Sequence, residues 1–338
     1  VTNRFFCMNC SVIILNWNGR ALLADCLNAL LPQCDASIEV LVVDNGSHDG
    51  SAAWLHQHYP QVRLLALTNN RGFSGGVNVG LHVARGDVLL LLNNDAIVEP
   101  NFISAILAPF QHQPTLAASA GLLTFAHRPE IIASAGIQLY HDGVATDAGL
   151  LQPVAQLASQ PSPIWGGSGG AVAYRRAALA DVGIFDEGYF AYLEDVDLAW
   201  RLQLREWQTV LAPQAVARHI YSATGGEGSP FKAWLIARNR WRVILRCWPT
   251  PLLARDLPLM LAYDGLACAQ AILRRRWTTV SGRLHALRQL PQLRQQRHAI
   301  QTRRTAPIAE LDRWIKPARS PLAIWRETKA LGQLIAQR

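Results

Sequence analysis

Three clusters of carboxylate and carboxamide side chains could do chemistry in this chain. The densest is Glu194-Asp195-Val196-Asp197, which opens a helical pattern running to Arg205. The helix dipole favours an ionised carboxylate in the first turn. Such a carboxylate can take the proton of a hydroxyl nucleophile as a new bond forms, and Asp195 is the candidate. The competing reading is that Glu194, Asp195 and Asp197 only cap the helix, with Asp197 pairing Arg201 one turn on; it suits Asp197 better than Asp195. The second cluster, Asn93-Asn94-Asp95, follows the apolar run Val88–Leu92. It suits a hard divalent cation, Mg2+ or Mn2+, bound together with phosphate oxygens, or else a helix cap before Pro100. The third is Asp44, at the start of Asp44-Asn45-Gly46-Ser47. It can accept a hydrogen bond from a base N–H or a ribose hydroxyl, or merely begin a turn.

The elements that must position these groups alternate. Ser11–Leu15, Ile38–Val43, Val62–Leu67 and Val88–Leu92 read as buried strands; Ala21–Leu31, Ser51–Tyr59 and Gly75–Ala84 read as helices. Continuous apolar strands separated by helices predict a Rossmann-like, mostly parallel sheet flanked by helices. Asn16, Asn18, Asp44, Asn70 and Asn93 all follow strands, and ligands of open parallel sheets bind at the strands' carboxyl ends. From Ala126 to Pro163 the pattern loosens, and irregular connections and short strands are expected. Trp207–Ala212 and Val216–Ile220 read as short strands.

The ordered blocks carry a resemblance. They are Ser11–Gly19, Val42–Ser51, Asn69–Gly80, Leu91–Asp95, Gly166–Arg176 and Gly183–Arg201. Together they resemble the inverting glycosyltransferases of family 2, with the GT-A fold, nearest the branch that includes bacterial rhamnosyltransferases. The resemblance implies that Asp44, helped by Asn16 and Asn18, holds the nucleobase. Asn70, Gly72, Asn78 and Asn93 would shape the nucleotide-sugar pocket. Asp95 would bind the metal-diphosphate with His219 beside it, and Asp195 would be the catalytic base. Trp165, Gly167, Tyr192 and Glu194 would line the acceptor side. The implied partners are a dTDP- or UDP-sugar and a lipid-linked saccharide. Two departures stand out. The metal motif lacks its first carboxylate, reading Asn-Asn-Asp. No Gln-x-x-Arg-Trp block of processive synthases is present, only Arg238-Asn239-Arg240-Trp241, so single-sugar transfer is expected.

Charge divides the chain at position 229. Residues 1–229 hold 11 Lys and Arg against 19 Asp and Glu; residues 230–338 hold 21 against 5. The expectation is a catalytic domain over 1–229 and a basic helical extension over 230–338. Arg240, Arg246, Arg255, Arg274–Arg276 and Arg283 alternate there with Trp241, Trp248 and Trp277. Arg and Trp on apolar helices suit the headgroup layer of an anionic membrane, which implies a peripheral protein on the cytoplasmic face. The alternative is a solvated helical face packed on the catalytic domain. Leu257–Leu273 is interrupted by Asp264 and Gln270 and reads as lying on a membrane rather than crossing it. No nucleic-acid motif is recognised. Cys7 and Cys10 lack the further ligands that zinc needs and read as reduced thiols. The absence of a Gly-rich loop after the first strand argues against an NAD dehydrogenase and a sugar nucleotidyltransferase. An inactive homologue acting as a membrane scaffold stays as the non-enzymatic alternative.

Overall fold

The computed structural model describes residues 9–220 and 229–336. The first half is a run of β/α units. β1 (Cys10–Asn16), α1 (Arg20–Leu30), β2 (Ile38–Asp44), α2 (Ser51–His58), β3 (Arg63–Ala66), α3 (Gly72–Val83) and β4 (Val88–Asn93) follow one another as the hydrophobic pattern predicts. β1 lies between β2 and β4, with β3 outside β2, and all four are parallel. Helices cover both faces, so side chains alternate between two cores. Val12 and Ile14 pack with Leu23, Cys26, Leu27 and Leu30 of α1. Ile13 packs on the other side with Val77 and Leu81 of α3. Gly80 lets α3 approach closely: a Cβ there would lie 2.5 Å from Ile13 Cγ2.

The sheet then becomes mixed. β5 (Ala96–Val98) and α4 (Phe102–Leu107) lead to the fully buried β6 (Leu116–Phe125). The stretch expected to hold irregular connections and short strands contains β7 (Arg128–Ser134), β8 (Ile137–Tyr140), β9 (Ala145–Asp147) and β10 (Ser162–Ile164). β11 (Ala171–Arg175) inserts antiparallel between β4 and β6. α5 (Arg176–Val182) and α6 (Glu194–Leu204) precede β12 (Gln208–His219). The two short strands expected near the end of this region are one strand, with its register against β6 shifting between Ala212 and Val216.

After Ser229 the chain is largely helical: α7 (Pro230–Cys247), α8 (Thr250–Leu273), α9 (Trp277–Arg288), α10 (Leu290–Gln301), α11 (Ile308–Asp312), the short β13 (Ile315–Lys316) and α12 (Pro321–Ile335). These helices share a core with the sheet domain. Trp165, Tyr189, Val196 and Trp200 pack with Trp241, Ile244, Cys247, Trp248 and Met260. The expectation that the extension's arginines and tryptophans face lipid headgroups is corrected for Arg240, Arg246, Arg283, Trp241 and Trp248, which are turned inward. Arg240 and Arg283 bond Asp264, and Arg246 pairs with Asp186 and Asp197. Arg255 pairs with Asp256 and Asp312. Trp241 and Trp248 are buried and donate to Asp264 and Asp256. Burial without a partner is costly for a charged group, so the five acids of this region are spent mostly on internal pairing. Arg274–Arg276 remain exposed, beside exposed Leu273 and Trp277. Among the described residues no helix is long and apolar enough to cross a membrane.

Candidate active site

Parallel pairing gathers residues distant in sequence at one sheet edge. Asn16 sits opposite Asp44, and Leu15 opposite Asn93. Asn16 Nδ2 donates to Asp44 Oδ1 at 3.1 Å, while its Oδ1 accepts from Asn94 Nδ2 at 2.9 Å. Asp44 is 3% exposed, and its Oδ2 accepts from the Ser47 N–H at 3.1 Å. The turn role foreseen for Asp44 is therefore realised within this network. Asn18 lies further out; its N–H donates to Ser47 Oγ and its Oδ1 accepts from the His48 N–H.

β12 returns antiparallel to β5 with His219 opposite Ala96. That register brings His219 Nε2 to 3.0 Å from Asp95 Oδ1 and 3.3 Å from Asn93 Nδ2. The helix-cap alternative for Asp95 is not realised, because α4 begins only at Phe102, after Asn101. A carboxylate, an imidazole and a carboxamide converging here fit a divalent cation whose other positions are filled by phosphate oxygens. Among the described residues no set of three His, Cys, Asp or Glu side chains could hold a metal unaided.

Asp195 enters from the other side, on the first turn of α6. Its Oδ2 accepts from the Gly169 N–H at 3.1 Å, and its Oδ1 from the Val196 N–H at 2.8 Å. Next to Gly169, the Gly170 carbonyl accepts from the Asn93 N–H at 2.9 Å, which ties Asp195 to the strand edge. Burial raises the Asp195 pKa above the usual carboxylate range, and the two N–H donors pull it part of the way back. Glu194 is 6% exposed, with no hydrogen-bond partner for Oε2 among the described residues. Burial first, then the charge of Asp195, pushes its pKa well up, and two acids this close do not titrate independently. Asp147 on β9 joins this field. Burial moves its pKa up to about 6, with Asp195 adding to the shift and His219 opposing it. Asp147 escaped the sequence reading because it lies where the pattern loosens.

The sequence profile of glycosyl transferase family 2 matches residues 11–183. An N-acetylglucosaminyl-diphospho-decaprenol L-rhamnosyltransferase of Mycobacterium tuberculosis is 32% identical over 210 residues, covering 56% of this chain and 68% of the relative. This chain belongs to glycosyl transferase family 2. Among solved structures, Staphylococcus aureus TarS 1–349 superposes with a TM-score of 0.53 at 15% identity, over 87% of this chain and 90% of that one. GalNAc-T7 with UDP, GalNAc and Mn2+ superposes with a TM-score of 0.60 at 17% identity, over 74% of this chain and 49% of that one. At such identities the likeness is one of fold, and the fold is GT-A.

Other expected site residues of the transferase lie elsewhere. Trp165 is 2% exposed and packs edge-on against Trp200 at 4.7 Å, so it is a core residue rather than an acceptor wall. Gly167 is buried against Val172; the glycine that meets Asp195 is Gly169. Asn78 is buried and donates to the Phe185 carbonyl at 2.9 Å, pinning α3 to the segment before α6. Asn70 shapes a turn: its Oδ1 accepts from the Gly72 N–H at 2.7 Å and from Asn45 Nδ2 at 3.0 Å. Asn45, unremarked in the sequence, also accepts from the Arg71 N–H. Gly72 needs its positive φ of 72° and sits against Phe190. Tyr192 is partly buried with Lys232 Nζ 5.4 Å from its ring centroid. Cys10 is buried on β1, its thiol pushed up to about 12 by burial, and Cys7 lies outside the described residues.

Proposed function

We propose that this transferase moves one sugar, rhamnose or a similar hexose, from a dTDP- or UDP-sugar to a hydroxyl of a lipid-linked saccharide, with inversion, in cell-surface polysaccharide synthesis. The observation that carries the reading is Asp195, held by Gly169 beside the strand edge that bears Asn93, Asp95 and His219. Asp195 takes the proton of the acceptor hydroxyl as its oxygen attacks the anomeric carbon. Attack comes from the face opposite the nucleoside diphosphate, which leaves with the bonding electron pair, so the configuration inverts. A retaining double displacement needs a second carboxylate as nucleophile, and burial disfavours the ionised form of Glu194 that this part would need. Asp95 and His219 are the residues that would hold a divalent cation. When bound, the cation supplies positive charge against the leaving diphosphate. Asn16, Asp44 and Asn93 form the floor on which the nucleotide rests.

The M. tuberculosis relative's name, with its diphospho-decaprenol acceptor, supports a lipid-linked acceptor here. We read residues 1–229 as the catalytic part. Residues 230–338 then brace it and rest on the anionic inner face of the membrane through exposed Leu273, Arg274–Arg276 and Trp277. The test is Asp195→Asn, nearly isosteric but unable to accept the proton. With the best donor from a panel of nucleotide sugars, it should bind donor normally and transfer about 10²–10⁴-fold more slowly. NMR of the native product should show the anomeric configuration opposite to the donor's. A retained configuration or a fully active Asp195→Asn enzyme refutes the mechanism.

A further inference from the structure

α7 reaches into the loop that delivers the catalytic helix. Between the turn at Glu187–Tyr189 and α6, three residues that are not glycine hold positive φ: Phe190 at 65°, Tyr192 at 68° and Leu193 at 67°. Phe190, with ψ −63°, centres a tight γ-turn closed by the Ala191 N–H on the Tyr189 carbonyl at 2.8 Å. Residues with a Cβ keep such angles only where their surroundings hold them there. The holding groups come from α7, nearly 50 residues away in sequence. Asn239 is fully buried. Its Nδ2 donates to the carbonyls of Tyr189 at 3.1 Å, Ala191 at 2.8 Å and Tyr192 at 2.7 Å. Arg238 donates to the Gly188 and Tyr189 carbonyls at 2.9 and 2.7 Å. Its Nε donates to Asn239 Oδ1 at 2.9 Å, which orients the amide. The same loop touches the donor side, because the Phe190 carbonyl accepts from the Ser74 N–H of α3 at 3.1 Å.

We propose that Asn239, oriented by Arg238, is a positioning residue: it fixes the strained 188–193 loop and so sets where Tyr192 and Asp195 stand relative to the donor pocket. The inference rests on the reading of Asp195 as base. It also gives the chain's Arg-Asn pair on α7 a task in single-sugar transfer, carried out through backbone carbonyls rather than through substrate. A displacement of about 1 Å at a reacting group can cost roughly 10²-fold in rate, which sets the expected scale.

The experiment compares native chain, Asn239→Ala, Arg238→Lys and Asp195→Asn. For each, amide hydrogen exchange is followed in the peptide spanning 186–197, with nucleoside-diphosphate affinity and turnover of the best donor from the panel. Asn239→Ala should speed exchange of the loop amides, keep nucleotide affinity within about three-fold and lower kcat about 100-fold. Arg238→Lys, which keeps the charge but loses the fork, should do the same more mildly, by about 10-fold, and carries the test if Asn239→Ala does not fold. Unchanged loop exchange, or native kcat in the folded variants below their melting temperatures, overturns the proposal even if melting falls. An active Asp195→Asn with a slow Asn239→Ala removes the base and with it the stated purpose of the clamp. A slow Asp195→Asn with a native-like Asn239→Ala removes the clamp alone.

Discussion

Replacing Asp197 by Asn should unfold the protein more easily without disabling its chemistry. Asp197 is fully buried two residues beyond the base, and every contact it makes is internal. Its Oδ2 accepts from Arg201 Nε at 2.8 Å. Its Oδ1 accepts from the Tyr189 hydroxyl at 3.0 Å and the Cys247 thiol at 3.3 Å, and lies 3.1 Å from Arg246 Nη1. Removing one partner of a buried ion pair costs about 3–5 kcal/mol, because the other charge is left uncompensated. Here Arg201 keeps the carbonyls of Val182, Gly183 and Ile184, and Arg246 keeps Asp186. The low end, about 3 kcal/mol, is therefore expected, which lowers the melting temperature of a chain this long by roughly 4 °C. The pH dependence has a definite sign. Burial raises the Asp197 pKa, but Arg246 and Arg201 outweigh it and hold the carboxyl below its ordinary value. Its contribution is then fully present above the unfolded carboxylate pKa of about 4 and is lost as pH falls through the lower folded value. Calorimetric scans of both proteins should show a gap near neutral pH that narrows in acid. Equal melting temperatures at neutral pH would refute the pairing argument. A folded Asp197→Asn enzyme as slow as Asp195→Asn would refute the division of labour between the two acids.

The acid limb of the kcat–pH profile should lie above the ordinary carboxylate range, since burial raises the Asp195 pKa and the base works only when ionised. Glu194→Gln should leave that limb nearly in place, because burial disfavours the charged form of Glu194; a large shift in the limb measured by initial rates would show that Glu194 carries charge. Asp95→Ala should abolish any stimulation of turnover by Mg2+ or Mn2+ in the folded variant; wild-type activity with the cation present would remove Asp95 from the metal site. Changing Arg274, Arg275 and Arg276 together to Ser should lower sedimentation with acidic liposomes, and added salt should weaken native binding, as exposed charges are screened within about 10 Å at 0.1 M. Equal binding of native and variant chains at all salt concentrations would place the contact elsewhere.

The β/α order, the strand-end position of the polar residues and the helix opening at Glu194 were all legible in the sequence. Each rests on local periodicity: a buried parallel strand must be continuously apolar, and its polar residues can appear only where it ends. The family followed from the same blocks. What the sequence could not decide was which of several adjacent similar residues faces the site. Asp195 and Asp197 are two positions apart on one helix, yet the first meets the Gly169 N–H and the second lies among Arg201, Arg246 and Tyr189. Gly167 and Gly169 divide in the same way across the entry to β11. The basic extension shows this most plainly. Composition reads its arginines as a surface charge of one sign, whereas packing turns Arg238, Arg240, Arg242, Arg246 and Arg283 inward onto Asp186, Asp197 and Asp264 and onto loop carbonyls. Net charge is a sum over residues and is fixed by the sequence alone. Whether a charge meets solvent, lipid or a buried carboxylate depends on partners tens to hundreds of residues away, and only the tertiary structure brings those partners into contact.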